Sequence, residues 1–362
     1  MAKGKHHFVP QLYLRAFQSK PKRIHLYNLN RSMAVENASL RDQCYKRRFY
    51  GKTDQTEDNL AVLEGCIAPV LQSITSNHSL PPYKTEDYDI LLGFVALQVL
   101  RTKTAAEQVN RSTDKAMKQI HSRDPRFAEV DMDAVKFGFE DPVLLSLRNL
   151  PQMLEAISDL RAHLVVSPRH VFVTSDNPAF KYNQYCEEIQ HMGTTGALCR
   201  GLQIFVPLCP RTQLVLYDGT TYEVRLSDRI SRISKAAGSD VDKLNFIQLV
   251  SADEHVYFSD YEQLKDIQRL QLKANPHRNP DPTVVQEYGE DDDPNASLLH
   301  EYEQTPNIRL RLTFLSLKPR ARRLPIEDRA QDYRKQMPLP RLPEPPHMRG
   351  RTATFSRFLG RR

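Results

Sequence analysis

Residues Ile90–Leu100 (ILLGFVALQVL) constrain the fold more than any other stretch, because they are apolar on every side of a helix. A helix with no polar face has to be surrounded by other elements, so this one is expected at the centre of a core. The run is about half as long as a membrane span needs, and it carries Gln98. It lies in a longer predicted helix, Thr85–Ile120, whose second half (KTAAEQVNRSTDKAMKQI) is polar and is expected to project into solvent.

Two further helices are expected around it. Leu60, Leu63, Ile67, Leu71 and Ile74 recur at spacings of three and four, which predicts an amphipathic helix over Asn59–Thr75 that Pro69 should kink or divide. Pro142–Leu160 reads as the next. The pattern then changes. Ala162–Val166, His170–Ser175, Gln203–Leu208, Gln213–Tyr217 and Tyr222–Leu226 are rich in Val, Ile and Phe and punctuated by turn residues, which predicts strands. Arg23–Asn28 and His255–Ser259 are read as strands too. Ile230–Ala237, Ser239–Val250 and Tyr261–Lys273 are read as helices. Helices and then strands in blocks argue for an α+β fold over an alternating one. The expected layout is a helical lobe over about 40–160 and a mostly antiparallel, strand-rich lobe over about 161–274, together one body of residues 1–274.

The last quarter reads differently. Half of the 24 prolines follow Ala274, in stretches such as MPLPRLPEPPHMRGR, and residues 281–303 hold eight acids and no Lys or Arg. Such composition buries too little apolar surface to order itself, so 275–362 is expected to be a largely disordered tail. The exception is Ile308–Leu317 (IRLRLTFLSL), where apolar residues alternate with Arg and Thr as in a half-buried strand docked on the body.

Charge is also uneven. Residues 1–50 hold eleven Lys or Arg against Glu36 and Asp42, and residues 305–362 hold fifteen against four acids. Two basic ends suit a nucleic acid or another polyanion. The alternative is a solvated surface with a self-attracting tail. Cys44, Cys66, Cys186, Cys199 and Cys209 are odd in number and include no close pair, which fits reduced thiols better than a disulfide framework or zinc knuckle. The basic N-terminus lacks the apolar region of a secretory signal, so a cytoplasmic protein without membrane attachment is expected. No tryptophan is present, and no GxSxG, P-loop, dinucleotide fingerprint or HExxH motif occurs.

Three segments carry residues suited to chemistry. His6 and His7 open HHFVPQLYLRAF, with Gln11, Tyr13 and Arg15 among apolar anchors; neutral imidazoles move protons or bind metal near pH 7. The plainer alternative is a terminal segment whose apolar residues pack down. Gln98 and Arg101 share a helix face, and a guanidinium beside apolar surface demands an anion, either a bound carboxylate or phosphate or an internal partner such as Glu64 or Asp176. Ser175-Asp176-Asn177-Pro178 ends a strand, where Asp and Asn commonly satisfy loop amides, or where Asp176 would serve as base or metal ligand.

These segments resemble the bacterial Domain of Unknown Function 4238 family. HHFVPQLYLRAF is similar to its opening signature, Ala96–Thr102 to its Gln-x-x-Arg-Thr helical block, and Val173–Pro178 to its Ser-Asp-Asn-Pro block. Leu12 stands where an aromatic is commoner, and the long basic tail lies outside the shared core. The resemblance implies a fold and shared positions but no activity. A His-Asn-His nuclease is a weak match, since the residues that follow (RIHLYNLNRSMAVEN) put His25, Asn28 and Asn30 in an expected strand and turn, with no helix carrying a histidine there.

Two functional readings emerge. In one, the chain is a hydrolase or transferase acting on a nucleotide or nucleic-acid phosphate. Its catalytic candidates are His6, His7, Ser175 and Asp176, and Gln11, Tyr13, Arg15, Gln98, Arg101 and Asn177 hold substrate. A divalent metal, if used, would fall to His6, His7 and Asp176. In the other, it is a non-catalytic module that binds nucleic acid or an acidic partner through Lys20, Lys22, Arg23, Lys46, Arg47 and Arg48.

Overall fold

The computed structural model describes residues 4–189, 192–227, 233–290, 293–329 and 332–335. The N-terminal part runs β1 (Lys5–His7), α1 (Gln11–Leu14), β2 (Arg23–Asn28), β3 (Met33–Ser39) and β4 (Tyr45–Arg47). Five helices come next: α2 (Gln55–Asn77), α3 (Glu86–Leu100), α4 (Lys103–His121), α5 (Pro142–Arg148) and α6 (Leu150–Ile157). Then come β5 (Arg161–Val166), β6 (Thr174–Ser175), β7 (Phe180–Tyr182), β8 (Gln203–Cys209), β9 (Thr212–Tyr217), β10 (Tyr222–Val224) and β11 (Ile233–Lys235). The described chain ends with α7 (Gly238–Ser251), β12 (His255–Phe258), α8 (Leu264–Ala274), β13 (Thr283–Glu290), β14 (Asp293–Glu303), β15 (Leu315–Leu317) and α9 (Ile326–Arg329). The fold is α+β, with sheets that are antiparallel except at β11–β5.

The main sheet has the order β11-β5-β9-β8-β7. Because side chains alternate along a strand, the sheet's three central strands feed two cores. Leu164, Ile204, Val206, Leu214 and Leu216 enter one core with α2, α3 and α6. Val165, Phe205 and Val215 enter the other with α7 and α8. Burial on both faces explains why these strands read as continuous apolar runs. A second sheet, β3-β2-β12-β6, joins N-terminal strands to strands far along the chain, so helical and strand-rich blocks do not form separate lobes.

As its composition requires, α3 is central: Tyr88 and every residue from Ile90 to Gln98 are buried. The long helix expected over 85–120 is instead two, broken at Arg101 and Thr102. Arg101 leaves helical geometry at φ −99°, ψ 0°, and the Thr102 hydroxyl accepts from the Ala105 amide to start α4. The third expected helix likewise divides at Asn149 into α5 and α6. Pro69 does not divide α2. It and Gly65, four residues earlier, lie on the exposed face, where water takes the carbonyl that proline leaves without a donor. The strand expected at 170–175 shrinks to Thr174–Ser175. Residues 233–235, expected helical, pair in parallel with β5, and 230–232 lie outside the described residues.

Packing does not stop at Ala274. Ile308, Leu310, Leu312 and Phe314 are buried in the second core, alternating with exposed Arg309, Arg311 and Thr313 as the sequence pattern requires, and Leu315 is buried there too, against that pattern. Only 315–317 forms ladder bonds, with β10. The acidic stretch forms the β13–β14 hairpin and meets the polar half of α4, which is therefore covered. Lys115 pairs with Asp281 at 2.7 Å, Arg123 with Glu287, and Lys181 of β7 with Glu303 at 2.8 Å. The disorder expected for 336–362 concerns residues outside those described.

Candidate functional site

β1 pairs with β4, placing His6 opposite Lys46 and His7 opposite Tyr45. Both imidazoles are buried. His6 Nδ1 accepts the Tyr50 amide at 3.0 Å, which leaves Nε2 to donate to Asp54 Oδ1 at 3.1 Å. Its ring stacks on Tyr50, with centroids 5.5 Å apart. His7 Nε2 lies 3.2 Å from the Arg41 carbonyl and 2.9 Å from the Gln11 amide. Burial pushes the His7 pKa below its ordinary value, so the ring is neutral at pH 7.

Arg101 ends α3 with 1% of its surface exposed. Nη1 pairs with Glu64 of α2 at 2.7 Å, Nε donates to the Tyr50 hydroxyl at 3.1 Å, and Nη2 donates to the His7 carbonyl at 2.6 Å. Burial opposes the charge, but Tyr50 and Glu64 outweigh it and hold the guanidinium protonated. Of the two partner types open to Arg101, the internal acid Glu64 is the one present. Glu57, two turns before Glu64 on α2, keeps a buried oxygen without a hydrogen-bond partner among the described residues, and burial raises its carboxyl pKa. Gln98 is fully buried, and neither its amide oxygen nor its nitrogen has a partner among the described residues.

The third block is held by different bonds. Asp176 Oδ1 accepts the Asp253 amide, and Oδ2 accepts those of Glu254 and His255, each at 2.8 Å. A carboxylate at a strand end thereby ties down the turn before β12. Ser175 donates to Gln248 at 3.1 Å, and the Asn177 amide donates to the Ser251 carbonyl at 3.0 Å, fixing the same strand end on α7. Tyr13 links the first block to the third. Its hydroxyl is 2.6 Å from both Thr174 Oγ1 and the Pro207 carbonyl. Arg15 is exposed at the end of α1. The structure thus brings the three blocks onto neighbouring elements. The side-chain bonds of His6 and His7 run to Gln11, Asp54 and the 41–50 segment, while those of Asp176 run to 253–255. Among the described residues no group of three or more His, Cys, Asp or Glu side chains is disposed to hold a metal ion.

Between the first and third blocks lies a cavity of about 270 Å³ lined by Phe8, Tyr45, Lys46, Lys103, Asp176 and His255, among others. Sequence reading missed Lys103 and His255. Lys103, the first residue of α4, pairs with Asp253 at 2.8 Å and Glu254 at 2.9 Å. Burial would lower its pKa, but these two acids raise it, so the amine stays charged. His255 Nε2 is 3.0 Å from the Asn28 amide nitrogen, and Asn28 Oδ1 accepts from Arg31 N at 2.8 Å. That orientation makes Nε2 the acceptor and leaves the Nδ1 proton facing Asp176 at 3.8 Å. Nothing in the sequence near His255 marks it except its place at a strand start.

Beside the cavity, the segments that carry the N-terminal cations are bonded to one another. Leu40 N bonds to the Lys22 carbonyl, Arg41 comes next in the chain, the Arg41 carbonyl meets His7, and β1 carries the path to Lys46 and Arg47. Lys20, Lys22, Arg23, Arg41, Lys46, Arg47 and Arg48 are all exposed, and among the described residues none lies within ion-pair distance of a carboxylate. Cys44 and Arg48, which bracket β4, both sit in the left-handed region at φ 50° and 51°. Non-glycine residues there cost on the order of 1 kcal/mol each and persist where the surroundings impose them.

A family model described as a protein of unknown function (DUF4238) matches residues 5–262. No curated protein and no solved structure matches the chain. No helix among the described residues is long and apolar enough to cross a membrane.

Proposed function

This chain belongs to the DUF4238 family of proteins of unknown function, and we propose that it is a polyanion-binding module that holds nucleic acid on its N-terminal basic surface. The observation that supports this is the row from Lys20 through Arg41 to Arg48, exposed and, among the described residues, without acid partners. Elsewhere the molecule pairs many of its cations: Lys103, Lys115, Lys118, Lys181 and Arg269 all meet carboxylates. Unpaired cations on one surface attract phosphates and release their counterions on contact. The buried network behind the row has a matching role, since Arg101 and Tyr50 clamp the His7 carbonyl and so hold β1 and β4 in place.

The catalytic alternative, a hydrolase or transferase working through His6, His7, Asp176 and Arg101, asks Arg101 to hold substrate while all three of its nitrogens already have partners. The binding reading asks no buried group to let go.

The test is the salt dependence of affinity for short oligonucleotides. The wild-type chain is expected to bind with an affinity that falls steeply with salt. The Lys46→Ala/Arg47→Ala/Arg48→Ala variant is expected to bind more weakly, with the slope of log K against log salt shallower by roughly 0.7–0.9 for each phosphate left unneutralised. An unchanged affinity and slope in that variant overturns the proposal.

A further inference from the structure

We propose that the cavity beside the basic surface receives one unpaired base, so that the chain prefers single-stranded nucleic acid to duplex. The inference rests on the polyanion reading and names the form of the polymer. Three observations carry it. Lys46 belongs both to the exposed cation row and to the cavity wall, so a backbone lying on that row passes the cavity mouth. The volume of about 270 Å³ lies just below the range of pockets that take drug-sized ligands, which suits a single ring system. The lining includes the partly exposed ring of Tyr45 beside the buried Phe8 and Tyr257, together with polar groups held in place.

Those polar groups are held before any ligand arrives. Asn28 selects the His255 tautomer whose Nδ1 carries the proton, and Asp253 with Glu254 fixes the Lys103 ammonium. Asp176 anchors the backbone of all three residues from Asp253 to His255. A ring system entering here meets ring surface and polar groups already fixed in place, and bases outside a helix are recognised by stacking and by hydrogen bonds. Inside a duplex the same base is stacked and paired and cannot enter. Tyr45 and Lys46 lie on the short strand β4, whose pairing with β1 holds this part of the wall in place.

The experiment is fluorescence anisotropy of the full chain with DNA and RNA oligonucleotides of one sequence, each single-stranded and as duplex, at low and moderate salt. Single strands are expected to bind about tenfold tighter than duplexes, the scale that one stacked base provides. Tyr45→Ala is expected to lose most of that preference with little change in salt slope, while Tyr45→Phe keeps it. Thermal melts confirm that each variant is folded. The DNA and RNA arms show whether the sugar hydroxyl contributes. Equal binding of single strands and duplexes overturns the base pocket while leaving the polyanion reading intact, as does an unaltered preference in Tyr45→Ala. Absence of binding to every oligonucleotide at low salt overturns both.

Discussion

At the scale of single residues, the polar side chains that attract notice in the sequence are used to satisfy backbone. His6 takes the Tyr50 amide, Asp176 takes three amides of the turn before β12, and Arg101 gives a hydrogen bond to the His7 carbonyl. Buried backbone groups must find partners, and a charged side chain does this with unusual strength. His7 makes the consequence measurable. Burial depresses its folded pKa below the ordinary 6.5, so on acidification the unfolded chain takes up the proton first. Stability is therefore full above about pH 6.5 and is lost as pH falls toward the depressed folded value. His25 shifts in the same direction for the same leading reason. His7→Gln is accordingly expected to flatten, though not abolish, the loss of stability between about pH 7 and pH 5 in urea titrations. An identical pH profile for variant and wild type would contradict this account.

At the scale of elements, Arg101 is the joint between α2, α3 and β1. Its ion pair with Glu64 crosses from α3 to α2, and its bond to His7 crosses to β1. Replacing it by Met leaves the Glu64 carboxylate and the Tyr50 hydroxyl without its donation and the His7 carbonyl with Tyr50 alone, and removing one partner of a buried pair costs about 3–5 kcal/mol. The double variant Arg101→Met/Glu64→Met is expected to be more stable than Arg101→Met alone, because the stranded charge goes as well. Denaturant melts of the single and double variants measure the difference, and simple additivity would show that the two side chains do not act as a pair. The same joint explains why one predicted helix became two. The apolar run of Ile90–Leu100 was legible as a central helix, and so was the polar character of the stretch that became α4. The turn between them depends on Arg101 being held from another element and on Thr102 capping α4, and neither bond is visible in a helical periodicity.

At the scale of the whole molecule, the boundary expected at Ala274 divides a continuous core. Ile308, Leu310, Leu312, Phe314 and Leu315 complete the second core, and each fully buried apolar side chain contributes roughly 1.5–3 kcal/mol. That sum is comparable with the whole stability of an ordinary domain, about 5–15 kcal/mol. A chain cut after Ala274 is therefore expected to lose its cooperative thermal transition or to melt far below the full chain. A truncated chain that melts like the intact one would show that the C-terminal segment is dispensable to the core. The β13–β14 hairpin makes a related point. The acids of 281–303 looked like a solvated run because that stretch holds no Lys or Arg, yet Lys115 of α4, Arg123 just after it and Lys181 of β7 meet them.

By itself the sequence determined which stretches are apolar, with what period, and where their turns fall. From these come the central helix α3, the strands β2, β5, β8 and β9, the alternating burial of Ile308–Phe314 and the α+β class. Those properties are local, since a side chain's partition between water and core depends first on its own surface. Tertiary structure alone decided which acid answers which cation, how Asp176 meets 253–255, and that Lys103 and His255 share a cavity with Tyr45 and Lys46. Such pairings join residues separated by dozens to hundreds of positions, and electrostatic and hydrogen-bond energies depend on distances that a linear pattern does not contain.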